Sequence, residues 1–212
     1  MMSYTSVQQW LDKSPMSAGK RKIIQSAVKL FAQFGYQGTT TAMIAQDAGL
    51  SNATMFKHFK SKEELLQKIV TPLISELVPL FSEQFLKDVK NHLVSIYDLM
   101  DYMIRDRYQF MNQNCQIVLI IINQFLTNED VKQTIVKLLG PKEEQLQQII
   151  QELLTTDQTT DSNLTASVII QLFAGQMLIS FLKRYKLNVV VDNEQEVAQI
   201  IANVQKVIRK NA

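Results

Sequence analysis

Apolar residues along this chain recur at intervals of three and four, with no sustained alternation of apolar and polar positions. Ile23, Ala27, Leu30, Phe31 and Phe34 fall at i, i+4, i+7, i+8 and i+11, one stripe of an amphipathic helix. Gly35 follows the last of them, where a left-handed cap ends a helix. Thr40 or Thr41 can cap a second helix, Ala42 to Ala48, which stops at Gly49. Ser51 is a good N-cap for a third, Asn52 to Phe59. Ser61 caps a fourth, with Glu63 and Glu64 in its first turn and Glu64 placed to complete a capping box.

Farther on, Pro72 and Pro79 are expected to limit or kink that fourth helix, since each lacks a backbone donor. The same periodicity predicts helices near Leu93–Asn112, Cys115–Leu126, Asp130–Leu139, Pro141–Leu154, Leu164–Lys186 and Glu194–Arg209. Breaks are expected at Asn128, Gly140-Pro141, residues 155–163 and residues 188–193. The run IVLIII, Ile117 to Ile122, suits a buried strand by composition, but a lone strand leaves its edges unpaired and the run reads as a core helix. The pattern predicts an all-α chain with no internal repeats.

Composition adds bounds. The 212 residues are 46% hydrophobic and 20% charged, enough for a substantial core. One cysteine, Cys115, permits no intramolecular disulfide and fits a reducing, cytoplasmic setting. The first residues contain neither a basic n-region nor a continuous apolar h-region, so no secretory signal is expected. Ile117–Ile122 is the longest apolar run and is far short of a bilayer span, so no membrane partner is expected. The net charge of +2 is unevenly divided. From Lys13 to Lys68 nine basic residues face three acidic ones, +6; the remaining thirteen basic and seventeen acidic residues give −4. A basic first third points to one end of the molecule facing a polyanion.

Residues 40 to 59 meet the steric demands of a helix-turn-helix. Ile44 and Ala48 point inward, Ala45 is small enough for a close crossing, and Gly49 supplies the positive φ of a tight turn. Leu50, Met55 and Phe59 close a small core on the Ile23–Phe34 stripe. Asn52, Ala53, Thr54, Lys57 and His58 are left on or near the outer face. In such a motif the second helix enters the major groove of DNA.

The segment from Arg21 to Leu66 closely resembles the N-terminal domain of the tetracycline-repressor (TetR) family. Its matching pieces are Ala27, Phe31, Gly35-Tyr36, Thr39-Thr40, Ile44-Ala45, Ala48-Gly49-Leu50-Ser51 and Phe59-Lys60-Ser61-Lys62-Glu63-Glu64-Leu65. The resemblance implies residues 1–19 as an N-terminal extension, 20–66 as the DNA-binding domain, and 67–212 as a helical effector-binding and dimerisation domain. It implies a homodimeric repressor on a palindromic operator in double-stranded DNA; no cofactor and no metal are expected. Asn52 and Ala53 fall where base readers sit, and Thr54, Lys57 and His58 where bases or phosphates are met. Thr40, Thr41 and Lys62 fall at helix starts that suit phosphate. Two departures stand out: Phe56 where the family usually has tyrosine, and Ala53 for the common glycine.

Two late helices are strongly apolar. Val168, Leu172, Gly175 and Ile179 form one stripe; Val197, Ile200, Ile201, Val204 and Ile208 form another. The resemblance implies that both pair with their copies in a dimer interface. Phe85, Tyr97, Met100, Met103 and Phe110, joined by Asn123, Phe125, Phe173 and Met177, supply the aromatic and methionine-rich lining of an adaptable pocket for a small, largely apolar effector. Three competing readings are an enzyme, a constitutive DNA-binding protein without an effector, and a helical interaction module that no longer binds DNA. The sequence contains no glycine-rich phosphate loop, nucleophile elbow or metal-ligand cluster, which argues against the first. His58 has only His92 as a fellow histidine.

Overall fold

The computed structural model describes residues 7–92 and 94–210. Eleven α-helices follow one another among them. In chain order they are α1 (Val7–Lys13), α2 (Ala18–Gly38), α3 (Thr41–Asp47), α4 (Asn52–His58), α5 (Lys62–Pro72), α6 (Val78–Val89), α7 (Ile96–Gln113), α8 (Cys115–Thr127), α9 (Glu129–Thr156), α10 (Ala166–Tyr185) and α11 (Asn193–Ile208). The all-α expectation holds, and Ile117–Ile122 lies inside helix α8. Leu93, the expected first residue of one helix, lies outside the described residues; α7 begins at Ile96.

The starts of these helices follow side-chain chemistry. Ser17, Thr40, Ser51, Ser61, Thr165 and Asp192 each accept a hydrogen bond from the backbone N–H three residues on. Such a cap is worth about 1 kcal/mol. Glu64 turns back as expected of a capping box, yet its carboxylate accepts from the Lys60 N–H at 2.8 Å, one residue before the cap.

Prolines interrupt less than expected. After Pro72 the path continues through a π-helical turn, Leu73–Leu77, into α6. Val78 N–H there donates to Leu73 O, five residues back. Widening the turn by one residue gives room to the Pro79 ring, which would otherwise press on the carbonyl one turn back. Gly140-Pro141 was expected to be a break, but α9 runs through it. The clash that normally drives the residue before proline out of helix involves its Cβ, and Gly140 has none. Lys62–His92 and Ala166–Tyr185 are each long and apolar enough to match a membrane-crossing helix by length and composition alone, a test that core helices also pass.

The chain divides into two compact units. One holds the described residues up to Leu80 together with Asn114–Lys137; the other holds Phe81–Gln113 and the described residues from Leu138. In the first, Ile23, Ala27, Leu30 and Phe31 of α2 are buried with Ile44, Met55, Phe59, Leu65 and Ile69, and α8 packs along α2. Phe34, expected on this stripe, is 47% exposed. The backbone kinks at Gly35, and Tyr36 brings its ring to 5.5 Å from that of Phe31 instead. The short α1 is held by Arg21, which donates to Leu11 O and, at 2.9 Å, to Ser14 O.

In the second unit Ile96, Leu99, Met100, Met103 and Ile104 of α7 have no exposed surface, and α10 and α11 pack on them. This corrects one expectation. Val197, Ile200, Ile201, Val204 and Ile208 are buried in the protomer's own core and are not available to a second copy. A hydrophobic stripe reports that it is covered, not by which chain. Arg184 ties the unit together by donating to Asn112 Oδ1 and the Tyr108 hydroxyl, to Asn193 Oδ1, and to Val191 O.

Candidate nucleic-acid interface

Residues 40 to 59 form the expected pair of short helices around a tight turn. Thr40 Oγ1 accepts from Met43 N at 3.1 Å, which settles Thr40 rather than Thr41 as the cap of α3. Gly49 has φ 67°, and Leu50 N donates to Ala45 O at 2.9 Å to close the turn. Ser51 Oγ then accepts from Thr54 N at 3.0 Å and starts α4. Thr54 Oγ1 lies 2.8 Å from Ser51 Oγ, so this hydroxyl is engaged in the cap.

Helix α4 has two distinct sides. Met55 and Phe59 are buried, with 0 and 1% exposure, and fasten it to α2 and α3. Asn52, Ala53, Phe56 and Lys57 are exposed and lie together at spacings of one, three and four residues. Thr54 and His58 are half-buried at the margins. Phe56 is 45% exposed, so it does not pack inward as its apolar character suggests. The imidazole of His58 lies against Gly19 near the start of α2, where an added Cβ would sit 3.1 Å from Nε2. No acidic residue occurs between Asp47 and Glu63, and Asp47 is paired with Lys29 at 2.5 Å. That Lys29 hydrogen bond, helped by Ser26, holds the Asp47 carboxyl below its ordinary value.

Lys62 departs from its expected role. Its ammonium donates to Tyr36 O at 2.8 Å and to Thr39 O at 2.9 Å, and it lies 4.3 Å from the Tyr36 ring centroid. Two of its three donors therefore satisfy carbonyls at the end of α2, leaving little of the group for phosphate. Replacing it tests a structural clamp: Lys62→Ala should lower stability by about 1 kcal/mol in urea unfolding, from two lost charge-assisted bonds at a half-exposed site. An unchanged midpoint would return Lys62 to the phosphate contacts.

Tyr36 also donates its hydroxyl to Glu63 Oε2 at 2.7 Å. Burial first, then the Glu63 carboxylate, pushes the phenol up to about 12, while the phenol holds Glu63 below its ordinary value. The raised phenol adds stability below its ordinary value of 10.0 that fades as pH climbs toward 12; the lowered carboxyl adds stability above 4.5 that fades as pH falls. The link between α2 and α5 is thus kept throughout the neutral range.

The other expected sites are not gathered as the sequence suggested. Asn123 and Phe125 belong to the first unit, whereas Phe85, Tyr97, Met100, Met103, Phe110, Phe173 and Met177 belong to the second. Met100 and Met103 are core residues without exposed surface. A small cavity in the second unit, lined by Tyr108, Met111, Asn112, Met177, Ser180, Phe181 and Arg184, includes only Met177 of the nine. Phe85 and Phe110 instead flank Arg107, whose guanidinium carbon is 4.2 and 4.8 Å from their ring centroids. Sequence reading missed Arg107 and Arg184; the contacts of Arg184 span up to 76 residues and leave no local signal, and Phe85 lies 22 residues from Arg107. On α10, Val168 and Ile179 are exposed at 44 and 54%, and Gly175 is exposed beside them. Among the described residues no group of three or more His, Cys, Asp or Glu is placed to hold a metal ion.

Comparison with known proteins places this geometry. Residues 23–69 match the family described as bacterial regulatory proteins, tetR family. An uncharacterised HTH-type transcriptional regulator, YhgD of Bacillus subtilis, is 41% identical over 58 residues, 27% of this chain and 30% of that protein. The match thus spans less than a third of the relative's length. Among solved structures, the ketosteroid transcriptional regulator KstR2 of Mycobacterium tuberculosis has a TM-score of 0.70 at 16% identity, over 93% of this chain and 98% of that one. The regulator FadR of Bacillus subtilis, solved with stearoyl-CoA, has a TM-score of 0.59 at 17% identity, over 89% of this chain and 98% of that one. At such identities the structural likeness is one of fold. With its helix-turn-helix inside the matched residues, the chain carries an N-terminal domain similar to that of the tetR family of bacterial regulatory proteins.

Proposed function

We propose that the chain is a cytoplasmic transcriptional repressor that binds a palindromic operator as a homodimer and is released from it by a small, largely apolar effector. The observation that carries the DNA-binding part is the outer side of α4, where Asn52, Ala53, Phe56 and Lys57 stand exposed above the buried Met55 and Phe59. A recognition helix meets these requirements by presenting its N-terminal half to base edges while its other side is held in the domain. Asn52 can pair bidentately with adenine, and Lys57 can anchor phosphate. Asn52→Ala should cost ~1–3 kcal/mol at one base position in a gel shift and little on random DNA. Equal losses on both would remove Asn52 from the base readers.

Support for self-association comes from α10, where Val168, Gly175 and Ile179 present an apolar face around a residue without a side chain. Sedimentation should find a dimer for the wild type and a monomer for Ile179→Glu. An unaltered dimer would move the interface elsewhere. The effector part is supported by Met100, Met103 and Met177, which join the same core beside Phe85 and Phe173 and can repack around a ligand. FadR, a neighbour in fold, was solved with an acyl thioester, and an acyl-bearing molecule is the first effector class to try. A ligand acts by favouring the state that fits DNA less well, a coupling typically of ~1–3 kcal/mol. Titration of acyl thioesters into the protein–operator complex, with no change in affinity, would remove that class.

A further inference from the structure

Phe56 is the one large apolar side chain on a face whose other exposed members are Asn52, Ala53 and Lys57. Single exposed apolar residues are common on protein surfaces and ordinarily mean nothing. This one differs in its place: it sits on the presented side of α4, in a stretch without acids from Ala48 to Lys62, and is not used to hold the helix down. Met55 and Phe59 already do that. A phenyl ring has no donor, so it cannot take a phosphate contact. In the major groove the apolar feature that a base offers is the C5-methyl group of thymine.

Resting on the reading of α4 as a recognition helix, we propose that Phe56 is a specificity residue that reads the 5-methyl group of a thymine. Ala53 and Phe56, three residues apart, are neighbours on the helix surface and form a short apolar strip beside Asn52. Phe56 lies one turn beyond Asn52, ~6 Å along the helix axis. The thymine it meets is therefore within about two base steps of the base met by Asn52, given ~3.4 Å per step. Because the ring offers only van der Waals contact, thymine is preferred over every base lacking that methyl, and no hydrogen-bond pattern is demanded at the position.

The test uses a duplex enriched by the full-length protein from a random-sequence pool, with each thymine of the half-site replaced in turn by deoxyuridine. This exchange removes the methyl and keeps base pairing. At one thymine the wild type should bind about fourfold more weakly after the exchange, the worth of one buried methyl-sized group. Phe56→Ala and Phe56→Leu, checked for unchanged helicity, should lose most of that sensitivity at the same thymine and keep it elsewhere. Phe56→Tyr, which retains the ring, should keep it. Equal deoxyuridine penalties in wild type and Phe56→Ala would overturn the inference while leaving the regulator intact. No enriched sequence at all would overturn the recognition-helix reading itself.

Discussion

Phe59→Ala should unfold the first unit, which holds the helix-turn-helix, at much lower urea, with a loss of about 3–5 kcal/mol. Phe59 is 1% exposed and stands where α4 ends, its own N–H donating to Met55 O at 3.0 Å. The buried ring lies 5.6 Å from Lys20 Nζ of α2, and the backbone there is extended, with φ −141° and ψ 120°. Truncation leaves a cavity that these short helices cannot easily close, since α3 and α4 have seven residues each and owe their form to packing rather than propensity. Helicity and the unfolding midpoint together check this outcome. A loss below ~1 kcal/mol would show that these helices are held by something other than this ring.

Gly35→Ala is expected to be nearly as damaging, at about 3 kcal/mol, for a wholly different reason. Gly35 has φ 74° and ψ 169°, a region open to glycine alone. A Cβ built there meets no atom within 4 Å, so the cost is backbone strain and not crowding. Asparagine, which tolerates the ordinary left-handed region, should not rescue the site because ψ lies far outside it. The strain is useful to the fold: the kink lets the buried Thr39 hydroxyl reach Gly35 O at 2.8 Å and Leu30 O at 3.1 Å. Thermal unfolding of Gly35→Ala and Gly35→Asn side by side checks both parts. Asparagine performing like glycine would show that the backbone relaxes to a conformation closer to a plain helix cap.

Local chemistry explains what was legible in the sequence. Ser51 and Ser61 cap the N–H groups three residues away, and Gly49 has positive φ where a turn was expected; Gly35 also has positive φ, but it kinks α2, which runs on to Gly38, instead of capping it. Such signals act over one turn, and the residues that carry them are adjacent in the chain. The outer side of α4 was legible for the same reason, because Met55 and Phe59 define its inner side. Lys62 was not: the carbonyls that hold it lie 26 and 23 residues upstream. The destination of the α11 stripe was hidden as well, since Val204 is equally apolar whether it meets α7 or another chain. Gly140-Pro141 misled because each residue alone disfavours helix, whereas glycine removes part of proline's penalty.

The clamp on Lys62 has a consequence for counterions. Nine positive charges lie between Lys13 and Lys68, but Arg21, Lys29 and Lys62 are engaged by Leu11 and Ser14, by Asp47, and by Tyr36 and Thr39. At most six of the nine remain to displace cations condensed on a duplex. Each neutralised phosphate contributes ~0.9 to the slope of log affinity against log salt, so one protomer's segment can account for a slope no steeper than about −5, not the −8 that the raw tally of nine implies. A third of the positive charge in this segment thus works as internal fastening, and under the proposed DNA-binding reading sequence-dependent contacts supply a correspondingly larger share of any tight binding.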